Sequence, residues 1–460
     1  MDTFTLSGKS ILHSLLLAFA VIIPIFILFL IKRKSAPVVR DDNLPWTRNC
    51  DTWSIYSRQN GIHFEWLAQK MKIGTMKPWL IALSCLLLIH CSGSGNQPGA
   101  TDDAPEPRSF NMGFTPFPHA FTVEAVEVAY DVISRNADMI VQHFDDGVPW
   151  QEALDNADNA TDYRATYAGN FLGDLDYKLQ HNPAGHVVYL ALTPLGPLRE
   201  GLALHRGDSA NEPLTTPWDT HALDHPDVVK AYIRHCLNMI EHFDPEYVAY
   251  AIEANILAFY DHQNGTDKWS EFVNLVKEVY PAIKARHPDL PLFISLQVGI
   301  FHLDSTRQAL DIGRILPYTD YMAISAYPYT ETPDPADLPD DYFSELTNLA
   351  PTKPVAIAET AWPAENVEDV NNPGTIIAAE DPQRQQQYIR RLIDEMDRWD
   401  GRFMTIFFTR DYDDFWETDF QYYSNAQLIR TWRDTGLYDG AGNPRPALDT
   451  WLEALARPQT

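Results

Sequence analysis

Cysteine is scarce in this chain of 460 residues: there are four, Cys50, Cys85, Cys91 and Cys236. Only Cys236 lies beyond residue 91, so the body has no internal disulfide, and no Cys/His spacing of the zinc-binding kind occurs anywhere. Cys236 falls in an amphipathic helical pattern at residues 231–240, where a buried structural thiol is expected rather than a nucleophile. Positive charge is also short, with 35 Lys+Arg against 63 Asp+Glu and a formal net charge of −28. The deficit is uneven: residues 1–91 hold 10 basic and 5 acidic side chains, which leaves 25 and 58 for the remainder, a net of −33. A body this acidic excludes nucleic acid as a partner and disfavours docking on anionic lipid, whereas neutral polymers such as polysaccharides are not repelled. No glycine-rich phosphate loop follows the first strand-like run, which argues against an open nucleotide-binding sheet.

Hydrophobic segments stand at the N-terminus. Residues 11–31 are almost uninterruptedly apolar and are followed by Lys32-Arg33-Lys34, a length and flank that suit a transmembrane helix. A second pattern opens at Met71-Lys72 and Met76-Lys77, continues through the apolar residues 80–89 and ends in His90-Cys91-Ser92-Gly93, the layout of a secretory signal. Leu88-Ile89-His90-Cys91 resembles a bacterial lipobox, which implies acylation of Cys91; His90 departs from the small residue usual before that cysteine. The expectation is that translation begins at Met71 or Met76, that residues 71–91 form a lipoprotein-type signal peptide, and that residues 1–70 are an upstream extension or an extra membrane anchor. In both versions the body is exported and membrane-anchored on the periplasmic or cell-surface side. Residues 92–108, rich in Gly, Pro, Ser, Asp and Glu, read as a flexible tether.

From residue 109 the chain settles into a regular beat. Apolar strand-like runs occur at residues 110–114, 139–143, 187–192, 247–252, 292–296, 321–325, 354–358 and 404–408. Amphipathic helical patterns lie between most of them, at 123–134, 228–242, 269–286, 306–316 and 384–399. Alternation of this kind implies a parallel sheet, and eight such units predict an α/β fold of the (β/α)8 TIM-barrel class over residues 109–460. In such a barrel the chemistry sits where strands end and loops begin.

Two of those ends carry a glutamate. Lys353-Pro354-Val355-Ala356-Ile357-Ala358-Glu359 is an apolar strand closing on a carboxylate, and Tyr247-Val248-Ala249-Tyr250-Ala251-Ile252-Glu253 repeats the design. Together they suggest an acid/base pair. Other strand ends supply His143, Asp145 and Asp146, then Asn255, Gln297, Tyr327, Trp362, Arg410 and Trp416. Aromatic faces stack on the C–H faces of sugar rings while carboxylates, amides and imidazoles bind hydroxyls, so the mixture suits a carbohydrate pocket. Asp145-Asp146 offers too few oxygens for a calcium site and reads as a loop. No metal or organic cofactor is called for, and a monomer is expected.

The order of these residues resembles clan A retaining glycoside hydrolases. Glu359-Thr360-Ala361-Trp362-Pro363 is similar to the Glu-Ser/Thr-Gly-Trp-Pro segment of family 17 β-glucanases and to the matching strand of family 53 endo-galactanases; Ser325-Ala326-Tyr327-Pro328-Tyr329 resembles their Tyr-Pro motif. The tail at 435–447 looks like their closing segment. The resemblance implies a double displacement on a β-linked polysaccharide or oligosaccharide, with Glu359 as nucleophile, Glu253 as acid/base and Tyr327 bonded to the nucleophile. It also implies Trp362 and Trp416 as sugar-stacking walls, with Asn255, Gln297 or His143 as hydroxyl partners. One departure stands out. The clan has Asn before its acid/base glutamate, and this chain has Ile252, which keeps a second class open: a non-catalytic glycan-binding lipoprotein on the same barrel.

Overall fold

The apolar runs become eight parallel strands closed into a barrel. The computed structural model describes residues 106–156, 163–423 and 426–460. Barrel strands are β1 (Asn111–Phe114), β2 (Met139–Phe144), β3 (Val187–Leu192), β4 (Tyr247–Ala251), β5 (Leu292–Gln297), β6 (Met322–Ala326), β7 (Val355–Thr360) and, after a small antiparallel pair formed by β8 (Val367–Glu368) and β9 (Ile376–Ala378), β10 (Phe403–Ile406). Each pairs with its sequence neighbour, and β10 returns to β1 with Asn111 opposite Phe403. The possible transmembrane helix at 11–31, the signal at 71–91, Cys91 and most of the tether lie outside the described residues. Among those described, no helix is long and apolar enough to cross a membrane.

Strand alternation sorts side chains into two cores. Outward residues such as Leu190, Val248, Ile294, Ile324, Ile357 and Met404 pack beneath the helices. Those helices form where the 3.6-residue period runs on: Val123–Asn136, capped by the Thr122 hydroxyl, Pro226–Phe243, Lys268–Lys284 and Pro382–Trp399, capped by Asp381. Inward residues form a separate cluster. At the N-terminal end of the barrel Tyr189, Tyr247, Phe293, Tyr321 and Phe403 fill the lumen, with Phe403 4.8 Å from Tyr247 and Phe293 stacked on Tyr321 at 5.6 Å. Above them the lumen is lined by small residues, Ala191, Ala249, Ala323, Ala356 and Ala358. Large rings close one end and alanines leave room at the other, so the open end faces the C-terminal strand tips. Gly113 is required where β1 meets β2, since a Cβ there would lie 2.8 Å from the Met139 carbonyl oxygen.

The chain's described ends are stapled together. Arg108 pairs with Asp138, Arg457 donates to the Pro107 carbonyl at 2.9 Å and to Asp397, and the closing helix Pro446–Leu455 brings Trp451 against Phe114 at 4.8 Å. Trp451 Nε1 also donates to the Asn136 carbonyl at 2.7 Å. Burial of these large rings contributes more to stability than the exposed Arg457–Asp397 pair does.

Candidate active site

The tip of β4 is irregular. A register shift between Ala249 and Ala251 turns Ile252 into the barrel lumen, where it is 4% exposed, and leaves Glu253 in the left-handed region at φ 49. A glutamate held there costs roughly 1 kcal/mol or more, an expense typical of functional sites. The surroundings enforce it: Glu253 N–H donates to Ser295 Oγ at 2.9 Å and Ala254 N–H to the Ser295 carbonyl at 3.1 Å. Asn255 then opens helix Asn255–Asn264.

Glu359 is the penultimate residue of β7, opposite Ser325 of β6. Tyr327 O–H donates to Glu359 Oε1, and His143 Nε2, from β2, lies 3.4 Å from Glu359 Oε2. Ser325 Oγ donates to Glu253 Oε1 at 2.7 Å, so the residue one strand across from Glu359 touches Glu253. The circuit closes through the other side of the barrel. His143 Nδ1 is 4.0 Å from Asp145 Oδ1, and Arg199 Nη2 lies 3.4 Å from Asp145 Oδ2 and 3.7 Å from Glu253 Oε2.

Burial sets the protonation. Glu253 is pushed up to about 7, first by burial and then by the Glu359 charge, against the pull of Arg199, Ser325 and His143. His143 is raised: burial opposes its charged form, but the bond to Glu359 and the charges of Asp145 and Glu359 outweigh it. Burial also raises Asp145, opposed by His143 and Arg199. Tyr327 is driven far above its ordinary value by burial and by both glutamates, which keeps it a hydrogen-bond donor. One carboxyl that holds a proton near neutrality thus faces a second that accepts from the Tyr327 hydroxyl and lies 3.4 Å from His143 Nε2. Environments that separate two carboxyls in this way suit an acid and a nucleophile.

The structure brings Glu253, Glu359, Tyr327 and His143 together and places the other sequence candidates elsewhere. Asn255 is fully buried, with Nδ2 donating to the Gln297 carbonyl and to Gln308 Oε1, both at 3.0 Å, and Oδ1 accepting from Gln297 N–H at 2.8 Å. Gln297 is 3% exposed and its Oε1 caps the next helix by accepting from Ile300 N–H at 2.5 Å. Both amides tie strand tips together instead of facing a ligand, since the buried backbone groups of Gln297 and Ile300 need partners there. Trp362 is 1% exposed; its Nε1 donates to Glu380 Oε2 at 2.8 Å and its ring lies 4.8 Å from Tyr388, so it packs under the rim instead of walling the mouth. Trp416 is likewise buried in the core. Arg410 braces the closing segment by donating to the Gly440 carbonyl at 2.5 Å.

Sequence reasoning gave no role to Arg199, Ser325, Ser295 or Trp432. The last, on helix Ala426–Trp432, sits edge-on to Tyr327 at 5.4 Å and lies 6.3 Å from Phe407. Two clusters elsewhere have the residue types of a metal site. His221 and His225 stack nearly parallel, 3.6 Å apart at 9°, so their ring planes do not converge on one ion near Asp227. Asp411 and Asp434 are already held by Arg445 at 2.7 Å and Arg430 at 2.5 Å, with Glu365 on Arg445 at 2.8 Å.

No family model matches the chain, and no curated protein matches it. Among solved structures the barrel is similar to GH5_18 from Streptomyces cattleya in complex with GlcNAc, with a TM-score of 0.50 and 16% identity over 76% of this chain and 81% of that one. It is equally similar to a variant of that protein in complex with Manb1-4GlcNAc, at TM-score 0.50 and 15% identity over the same shares of 76% and 81%. What they share is the barrel. A GH53 catalytic domain from Ignisphaera aggregans matches at TM-score 0.42 and 18% identity, over 71% of this chain and 88% of that one. The (β/α)8 barrel expected from the sequence is the fold of this chain, and the Streptomyces cattleya structures share it.

Proposed function

We propose that this protein is an exported retaining glycoside hydrolase that cleaves β-glycosidic bonds of a polysaccharide or oligosaccharide by double displacement. The observation that carries the reading is the pair Glu253 and Glu359: two carboxyls at the tips of β4 and β7, their side chains only 12% and 15% exposed, joined through Ser325, one poised to hold a proton and the other accepting from Tyr327. In the first step a Glu359 oxygen attacks the anomeric carbon while Glu253 gives its proton to the leaving oxygen. Water, activated by Glu253, then releases the sugar and restores Glu359. Tyr327 and His143 orient the nucleophile, and Trp432 packs edge-on against the Tyr327 ring. The disaccharide in the Streptomyces cattleya complex is β-linked, which supports a β-linked oligosaccharide as the ligand class. Export rests on the segment ending at Cys91, with a lipid or residues 11–31 as membrane anchor and a monomeric barrel beyond the tether.

Ile252 favours a second reading. It is apolar and faces the lumen beside the proposed acid, where no hydroxyl of a sugar gains a partner from it, as a glycan-binding lipoprotein without turnover would permit. Product release from β-galactan, β-glucan, β-mannan, xylan and aryl β-glycosides separates the two. Turnover abolished in Glu359→Gln supports the hydrolase; no turnover on any of them, with a folded protein that binds glycan in both forms, moves the reading to the binding protein. For export, a peptide from residues 40–70 in the mature protein by mass spectrometry contradicts cleavage at Cys91.

A further inference from the structure

Arg199 is a cation in an unusual place. It comes from the long loop after β3, at the tip of a tight reverse turn in which Leu195 bridges Leu202, Gly196 N–H donates to the Gly201 carbonyl at 2.9 Å and Arg199 N–H to the Gly196 carbonyl at 2.7 Å. An arginine on a loop tip ordinarily extends into water. This one is 1% exposed and adopts φ 57, so its loop is built to turn the side chain inward at a cost in backbone strain. Its guanidinium makes two long hydrogen bonds, from Nη2 to Asp145 Oδ2 and from Nη1 to the Gly196 carbonyl, both at 3.4 Å, and lies 3.7 Å from Glu253 Oε2. The separations of 3.4 Å to Asp145 and 3.7 Å to Glu253 exceed the 2.7–2.9 Å of a formed charge-assisted bond, and Nε is buried with no hydrogen-bond partner.

The double displacement moves negative charge across this gap. Before reaction it resides on Glu359. Once the Glu359 oxygen has bonded to the anomeric carbon and the Glu253 proton has left with the aglycone oxygen, the charge is on Glu253, beside Arg199. The groups facing Glu253 are Glu359 from β7, Ser325 and Tyr327 from β6, His143 from β2 and Arg199; of these, Arg199 alone is a permanent cation. We propose that Arg199 is a positioning residue that closes on Glu253 when it loses its proton, holding it as the base that activates water in the second half of the reaction. Asp145 parks the guanidinium until that charge appears. The inference rests on the hydrolase reading and adds a residue and a step to it.

The test uses a dinitrophenyl β-glycoside, whose departure needs little acid assistance, and an unactivated substrate. Arg199→Met is expected to lower kcat on the activated substrate about tenfold or more while kcat/KM changes by less than about threefold, because only water attack requires the base. Azide, which attacks without a base, is expected to restore the lost kcat. On the unactivated substrate the alkaline limb of kcat/KM is expected to move up by about one pH unit, since an opposite charge has been removed from the acid. Asp145→Asn, which frees Arg199 to close on Glu253, is expected to move the same limb down, and it keeps the test alive if Arg199→Met does not fold. Parallel loss of kcat and kcat/KM without azide rescue, or a limb that neither variant moves, overturns the proposal while leaving the hydrolase in place. Absence of wild-type turnover on every β-glycoside overturns the hydrolase reading itself.

Discussion

Replacing Glu253 by glutamine tests the electrostatics of the site without any substrate. The fold lifts this carboxyl from 4.5 to about 7, chiefly by burial and then by the charge of Glu359. A difference of about 2.5 units is worth about 3 kcal/mol between the two protonation states. The sign follows from the direction of the shift. Because the folded value lies above the unfolded one, the protonated carboxyl favours the fold fully below pH 4.5, and that contribution is lost as pH rises through 7. Above it, the native state holds an anion that burial and Glu359 both disfavour. Glutamine is neutral throughout. Relative to wild type, Glu253→Gln should therefore gain stability with pH, by less than about 1 kcal/mol near pH 5 and by about 3 kcal/mol near pH 8. Urea unfolding of both proteins across that range gives the difference, and any constant offset from swapping an oxygen for an amide beside Ser325 and Arg199 cancels in its slope. A difference that stays flat within about 0.5 kcal/mol would refute a proton held on Glu253 by its surroundings.

Other perturbations act on separate parts of the molecule. Glu359→Gln should lower kcat/KM on any β-glycoside by about 10⁴-fold or more while its urea midpoint stays close to wild type, as measured by initial rates and unfolding. His143→Asn should cost more stability near pH 6 than near pH 9, because a histidine raised above 6.5 favours the fold below that value and its contribution fades as pH rises through the folded one; equal losses at both would mean the imidazolium is not the stabilising form. Asp411→Ala should destabilise the protein by about 1.5–3 kcal/mol in urea unfolding, since it removes the buried carboxylate 2.7 Å from Arg445 and leaves that guanidinium with Glu365 and two carbonyls, and it should leave the pH profile of activity unchanged.

The barrel was legible because its strands are short apolar runs alternating with amphipathic helical patterns. The run at 187–192 coincides with β3, and the helical period at 384–399 covers nearly all of helix Pro382–Trp399, whose Asp381 cap and Pro382 mark its start. Helix Gly169–His181 was not foreseen, since Gly169, Gly173 and three aspartate or asparagine residues dilute its apolar stripe. Glu253, Glu359, Tyr327 and His143 stood at strand ends and so could be read as neighbours before any coordinates. Arg199 could not, because a charged residue in a loop of no period looks solvated until its turn is seen to fold inward. Residue type misled at Trp362 and Asn255: both follow a glutamate closely, but the chain bends after each strand tip and spends those side chains on the rim, where Glu380 and the β5 backbone need partners.

The most direct test of the central claim is the configuration of the first product. With the aryl β-glycoside that the protein turns over fastest, proton NMR recorded before mutarotation distinguishes the two anomers. A retaining pair at Glu253 and Glu359 requires the β-anomer to appear first, and only when Glu359 is present. First formation of the α-anomer, or turnover that survives Glu359→Gln, would contradict it.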